Sequence, residues 1–309
     1  MTLAFVFPGQ GSQSMGMGRD LYASSAAARA VFDQADETLG FALSKLCFDG
    51  PEAELTATEN AQPALLATSA ALLAAMDEAG YSPTPALVAG HSLGEYSALV
   101  AAGTLSVPTA LRLVRRRGEL MAATHQGAMA AIIGLDEEPL EALCREASAE
   151  GAPVVIANYN SPGQLVISGA SAAVERACAL AKAQGAKRAL PLKVSAAFHS
   201  PLMRAAAEGL AVAIGEARMA DASVSVVSNV TARPIATAAE IRDELVTQVT
   251  SPVRWIASVR AMVAAGVDTF VEIGAGVVLT GLIKRIAPGV QLVNISDLAD
   301  IHALLASEV

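Results

Sequence analysis

The sequence predicts an α/β fold in which a large domain, built on a parallel sheet, carries a small inserted βαββαβ unit. Two rhythms in the chain predict it. From Met1 to about His125, and again from about His199 to the end, short apolar runs alternate with long helix-compatible stretches. Such alternation builds a parallel sheet covered by helices. In between, residues 126–198 repeat a strand-helix-strand pattern twice in compact succession, which is the ferredoxin-like order. A chain of 309 residues has room for both units and for a substantial core.

The expected strands of the large domain are Leu3 to Phe7, Ala86 to Ala89, Val224 to Ser228, Thr269 to Ile273 and Gln291 to Ile295, each a short apolar run. Its first half also carries helical stretches at Ala26 to Leu39, Gln62 to Ala79, Leu93 to Ala102 and Pro108 to Ala123. In the small unit, Ala128 to Gly134 reads as a strand and Glu137 to Ser148 as a helix. Pro153 to Ala157 and Gln164 to Ser168 read as a strand pair joined by a loop from Asn158 to Gly163. Ser171 to Gln184 reads as a helix opened by a serine cap, and Lys187 to Val194 as the closing strand. The chain then re-enters the large domain at about Ser195. The expected division is therefore a discontinuous catalytic domain, 1–125 with 199–309, and a ferredoxin-like subdomain, 126–198. A cleft between them is lined from both, and ligand sites favour such junctions.

Hydrophobic residues make up 53% of the chain and the mean hydropathy is +0.45. Alanine supplies much of this, and no segment offers the roughly 18 consecutive strongly apolar residues of a spanning helix, so no membrane role is expected. The stretch Met1-Thr2-Leu3-Ala4-Phe5 lacks the basic start of a signal peptide and runs straight into a strand, so the expected location is cytoplasmic. Cys47, Cys144 and Cys178 are odd in number and widely spaced, which indicates neither a disulfide framework nor a zinc site. Four histidines without ligand-type spacing argue against a catalytic metal. A net charge of -9 argues against nucleic acid as a partner. Local basic patches can still form at Arg115-Arg116-Arg117, Lys187-Arg188 and Lys284-Arg285.

The chemistry centres on Gly90-His91-Ser92-Leu93-Gly94, between the strand at Ala86 to Ala89 and a helical stretch. A G-x-S-x-G elbow holds its serine in a sparsely allowed backbone conformation with the hydroxyl standing clear, and makes the large domain α/β-hydrolase-like. Ser92 is then the nucleophile and the Leu93 N–H half of an oxyanion hole. The bare pattern fits a glycine-bounded turn with an incidental serine equally well. As its base, His199 is the best placed histidine, because it follows the last strand of the insertion where the chain returns to the large domain. His125 and His302 read as surface residues, and His91, diverging at the sharp turn, as pocket-lining. The loop Phe7-Pro8-Gly9-Gln10-Gly11-Ser12-Gln13 lacks phosphate-binding patterns. Either it brings the Gln10 N–H up as a second oxyanion donor, or it is an ordinary turn. Consecutive helical residues lie about 100° apart, so Arg115, Arg116 and Arg117 cannot point one way. Either one turns to the cleft as a fork for a carboxylate, or all form a solvated basic cluster.

Taken together, FPGQGSQ at 7–13, GHSLGEY at 90–96, Arg117, NYNSPGQLVISG at 158–169, AFHS at 197–200, Gln248 ahead of SPVRW at 251–255, and EIGAG at 272–276 resemble the malonyl-CoA:acyl carrier protein transacylase family of fatty acid synthesis. The resemblance covers essentially the whole chain. It implies that Ser92 carries a malonyl group from malonyl-CoA to the phosphopantetheine thiol of acyl carrier protein, with His199 as base and the N–H groups of Gln10 and Leu93 as oxyanion hole. It further implies that a main-chain carbonyl near Gln248 orients His199, and that Arg117 binds the malonyl carboxylate. Asn160 is implied as a weaker substrate-positioning residue, and Phe198 as the bulky side chain that favours malonyl over methylmalonyl. No cofactor beyond the carrier's own phosphopantetheine is implied. Ala275 and Val277 depart from the family's wording, which has proline and lysine there. An acidic carrier protein suggests basic docking residues, for which Lys187, Arg188, Lys193, Lys284 and Arg285 are candidates. Two other readings share the elbow: a discrete acyltransferase serving a polyketide synthase, and a serine thioesterase or hydrolase. Hydrolases usually add an acid partner and have no need of a buried arginine.

Overall fold

The computed structural model describes residues 1–148, 152–192, 194 and 196–307. Its strands are β1 (Leu3–Phe7), β2 (Leu87–Gly90), β3 (Ala128–Ile133), β4 (Val154–Ser161), β5 (Gln164–Gly169), β6 (Arg188–Pro191), β7 (Val226–Val227), β8 (Pro234–Ile235), β9 (Thr269–Ile273) and β10 (Gln291–Ile295). They form a six-stranded sheet in the order β10-β9-β1-β2-β7-β8 and a four-stranded sheet in the order β4-β5-β3-β6. The large sheet is parallel up to β7, with β8 added antiparallel. The small sheet is antiparallel throughout and carries two helices, Glu137–Ala147 and Ser171–Ala183.

Side chains alternate across the strands of the large sheet, and each face finds its own partner. Phe5, Phe7, Val88, Val271 and Ile273 point into one core, which holds the helices Ala26–Leu39 and Thr58–Glu78. Ala4, Val6, Leu87, Ala89 and Phe270 point into the other, which runs without a break through Trp255 and Ile256 into the small sheet's Ala130, Ile132, Leu165 and Ile167. The small unit thus packs over the second face of the large sheet. Two backbone hydrogen bonds tie it there, Val253 N–H to the Ala157 carbonyl at 2.8 Å and Tyr159 N–H to the Val253 carbonyl at 2.9 Å.

Several elements differ from the sequence reading. The stretch expected as a loop from Asn158 is strand up to Ser161, and only Pro162 and Gly163 turn. Its polar side chains hide a backbone bonded on one edge to β5 and on the other to Val253, with two register shifts absorbing the mismatch. Asn160 therefore sits on a strand, not in a loop. The helix read as beginning at Gln62 begins at Thr58 and runs through Pro63. Proline leaves the carbonyl four residues earlier without its helical donor, and that carbonyl, of Glu59, accepts from Arg115 Nη1 at 3.1 Å. No serine caps the helix Ser171–Ala183; Ala170 holds the cap position with no side-chain bond. β6 is shorter than Lys187 to Val194, and Lys193 and Ser195 lie outside the described residues. β7 keeps only two of the five residues expected, and just past its end Ser228 and Asn229 turn polar groups onto buried carboxylates.

Candidate active site

The elbow follows β2 in the middle of the large sheet, and the loop carrying Gln10 follows β1 beside it, with Phe7 in register with Gly90. Sites in parallel sheets gather at these carboxyl ends, where adjacent loops part. Ser92 has φ +53°, a conformation that costs a non-glycine residue about 1–3 kcal/mol. The flanking glycines are required by contact: a Cβ on Gly90 would lie 1.9 Å from the Gly94 carbonyl carbon, and one on Gly94 would lie 2.0 Å from the Phe7 oxygen. The strain is offset at both ends of Ser92. Its N–H donates to Asn229 Oδ1 at 2.7 Å, and its carbonyl accepts from Gln248 Nε2 at 3.0 Å. Hydrogen bonds of this kind contribute about 1 kcal/mol each, so the pair is of the same size as the strain.

Ser92 Oγ lies 2.7 Å from His199 Nε2. His199 Nδ1 lies 2.9 Å from the Gln248 carbonyl and 3.0 Å from the Ser251 carbonyl. Two acceptors at Nδ1 assign the proton there and leave the Nε2 lone pair facing the serine. Burial, seconded by the nearby Arg117 cation, pushes the imidazole down to about 3, so it is neutral and able to accept a proton at pH 7. Carbonyls, not a carboxylate, hold it.

Arg117 is the member of the arginine cluster that turns inward, 1% exposed. Nη1 donates to Gln62 Oε1 at 2.9 Å, and Nη2 to Gln248 Oε1 at 2.9 Å and Ser92 Oγ at 3.1 Å. Its guanidinium carbon stands 5.8 Å from the centre of the Tyr96 ring. No carboxylate is within ion-pair distance of it among the described residues. Its neighbours divide as helix geometry requires. Arg115 pairs with Glu119 at 2.7 Å and Arg116, half exposed, approaches the same carboxylate at 3.7 Å.

The dyad and Arg117 open onto a cleft of about 730 Å³. The large domain contributes Gln10, Thr58, His91 and Met121, and the small unit Met129, Asn158 and Leu192. Phe198 lines it beside His199, and His125, read as a surface residue, is exposed and also lines it. The backbone N–H groups of Gln10 and Leu93 donate to nothing among the described residues, while Gln10 Nε2 is held by Thr58 Oγ1 at 3.1 Å. His91 Nε2 meets Asn160 Oδ1 at 2.8 Å and the ring stands edge-on to Trp255. His302 is exposed on the helix Leu298–Ser307, away from the cleft lining.

Three residues of the site were not anticipated from sequence: Gln62, Asn229 and Glu95. Glu95 leaves a signal, since it is the one charged residue in its helical stretch, Gly94–Ala101. Asn229 leaves none.

A serine on a strained elbow, activated by a carbonyl-held imidazole and flanked by a guanidinium with no carboxylate partner among the described residues, is the equipment of an enzyme that passes acyl groups through a serine ester. The chain belongs to the acyl transferase domain family, whose model matches residues 4–294. It is 51% identical over 298 residues to the malonyl CoA-acyl carrier protein transacylase of Bacillus subtilis (strain 168), covering 96% of this chain and 93% of that one. With the transacylase of Escherichia coli (strain K12) it shares 49% over 286 residues, 92% of each chain. Among solved structures, the acyl-carrier-protein-S-malonyltransferase of Bartonella henselae superposes with a TM-score of 0.96 at 45% identity, covering 99% of both chains. A malonyl-transacylase in complex with a type II PKS acyl-carrier protein also superposes at 0.96, with 44% identity over 99% of this chain and 100% of that one. Among the described residues no helix is long and apolar enough to cross a membrane.

Proposed function

We propose that the protein transfers a malonyl group from malonyl-CoA to the phosphopantetheine thiol of an acyl carrier protein, in fatty acid synthesis. The observation that carries this reading is Arg117, a buried cation with no carboxylate partner among the described residues, 3.1 Å from the nucleophile. An unpaired buried guanidinium favours a ligand that brings its own negative charge, and a malonyl thioester carries a carboxylate two carbons from the carbonyl that Ser92 attacks.

Ser92 Oγ adds to the thioester carbon as its proton passes to His199 Nε2. The oxyanion settles on the N–H groups of Gln10 and Leu93, which have no other acceptor among the described residues. The imidazolium is stabilised by the Gln248 and Ser251 carbonyls. The C–S bond then breaks, CoA leaves as the thiol with the proton from His199, and malonyl-Ser92 remains. The carrier's thiol gives its proton to the same nitrogen and reverses the sequence. A bidentate hold by Arg117 selects malonyl over acetyl, and Phe198 beside the dyad narrows the space for an α-methyl group. The enzyme's own residues supply every group these steps use, so no cofactor of its own is called for. A cytoplasmic setting is supported by Cys47, Cys144 and Cys178 all being free thiols.

Intact-mass measurement after exposure to malonyl-, methylmalonyl- and acetyl-CoA tests the reading. A malonyl adduct on Ser92 that persists in water and is discharged by carrier protein is expected; rapid release of free malonate without carrier would overturn it in favour of a hydrolase. The complex of a similar chain with a type II PKS carrier keeps a polyketide carrier as the second reading, and competition between the two carrier types for the malonyl-enzyme decides between them. Lys187, Arg188, Lys284 and Arg285 are exposed and are proposed as docking cations.

A further inference from the structure

Glu95 is 1% exposed and forms no ion pair among the described residues. Its oxygens accept from amides and also lie within hydrogen-bonding reach of the Glu244 carboxyl. Oε1 takes the Asn229 backbone N–H at 2.9 Å and Asn229 Nδ2 at 3.1 Å, and Oε2 takes Gln248 Nε2 at 2.5 Å. These are the same two side chains that hold the ends of Ser92, Asn229 through Oδ1 and Gln248 through Nε2. Asn229 Nδ2 also reaches the Gly90 carbonyl at 2.7 Å. One carboxyl group thus joins the donor ends of both amides.

An amide has a donor end and an acceptor end, and Gln248 uses both. With Nε2 on Glu95 and on the Ser92 carbonyl, Oε1 is left for Arg117 Nη2. Turned over, Gln248 would set donors against the guanidinium and an oxygen against both the carboxylate and the Ser92 carbonyl. The geometry points to Glu95 as a positioning residue for acyl selection: by accepting from Gln248 it holds the Gln248 oxygen on Arg117, and so keeps the guanidinium in the pose that receives the substrate's carboxylate. The inference rests on the malonyl-transfer reading. Glu244, the neighbouring buried carboxyl, accepts from Ser228 Oγ at 2.6 Å and the Val230 N–H at 3.0 Å and also reaches Glu95, so it belongs to the same network. Burial raises both carboxyls. Glu244 makes no hydrogen bond to Gln248 or Arg117 among the described residues.

The test compares kcat/KM for malonyl-CoA and acetyl-CoA in wild type, Glu95→Gln and, as a buried carboxyl outside this network, Glu272→Gln, whose side chain accepts from the Leu279 N–H at 2.9 Å and the Thr280 N–H at 2.7 Å. Glutamine at 95 can still accept from Asn229 but presents its own NH2 to Gln248. The malonyl-to-acetyl ratio is expected to fall about 10-fold in Glu95→Gln, a loss in keeping with a loosened anchor, and to stay at the wild-type value in Glu272→Gln. An unchanged ratio in Glu95→Gln, or an equal loss for both substrates, overturns the inference. Should Glu95→Gln not fold, the side-chain amide of Gln248 in the wild-type protein answers instead by NMR. Slowly exchanging, downfield Nε2 protons in contact with Ser92 support the inference, and fast exchange overturns it. A wild-type enzyme that forms no malonyl adduct removes the functional reading, and is told apart from these outcomes by the adduct measurement alone.

Discussion

The two walls of the cleft are built by opposite means. On the large-domain side, Ser92, His199, Arg117 and Gln248 are locked by hydrogen bonds between 2.5 and 3.1 Å, many involving groups that are nearly fully buried. On the other side Met129, Leu192, Val194 and Phe198 offer apolar surface, with Asn158 the polar exception. Buried polar networks fix geometry because each unmade bond is costly, whereas apolar walls exclude volume and water with little direction. On the proposed reading the first wall sets the reaction and, through Arg117, the charge the acyl group must carry, and the second sets the room left for it.

Substitutions break that contrast in graded steps. Ser92→Ala removes the nucleophile and should lower turnover by about 10⁴-fold or more, with no acyl adduct in the intact mass. Arg117→Ala should cost malonyl-CoA about 10²–10³-fold in kcat/KM, the scale of a lost charge-assisted pair, while acetyl-CoA loses far less; equal losses for both would mean that Arg117 serves the dyad rather than the substrate. Phe198→Ala, on the apolar wall, should raise methylmalonyl-CoA turnover about 10-fold at nearly constant malonyl turnover, as expected for room gained by a few carbon atoms.

The smallest effect concerns pH. Because His199 is held down to about 3, the acid limb of kcat/KM should lie well below the ordinary histidine value of about 6.5. Between about 3 and about 6.5 the unfolded chain binds a proton at this residue and the folded chain does not. His199 thus lowers stability as pH falls through that window. Denaturant midpoints of wild type and His199→Gln at pH 5 and 7.5 should show a smaller acid loss in the variant.

How much was legible followed how local the cause was. The elbow could be read because its glycines answer to contacts within five residues of each other and with the adjoining β1 loop, and the ferredoxin-like order because each strand and helix carries its own periodicity. Asn229 could not, since its significance depends on meeting Glu95, 134 positions away. The segment at Asn158 to Ser161 misled because its strand character comes from pairing on two sides, not from side-chain pattern. Gln62 reads from sequence as an ordinary early helical residue; only the fold brings it to Arg117. Of the arginine cluster, spacing says only that one can turn inward; the family resemblance names Arg117, and tertiary packing is what buries it.

The paired hydrogen bonds at Val253 carry a mechanical consequence. The small unit is stitched to the large one two residues beyond Ser251, whose carbonyl grips the His199 ring. It cannot swing like a door without tugging the strap that steadies the imidazole, so the fold gears the width of the entrance to the alignment of the base. An occupant that pries the walls apart would, by the same lever, slacken the catalyst behind it.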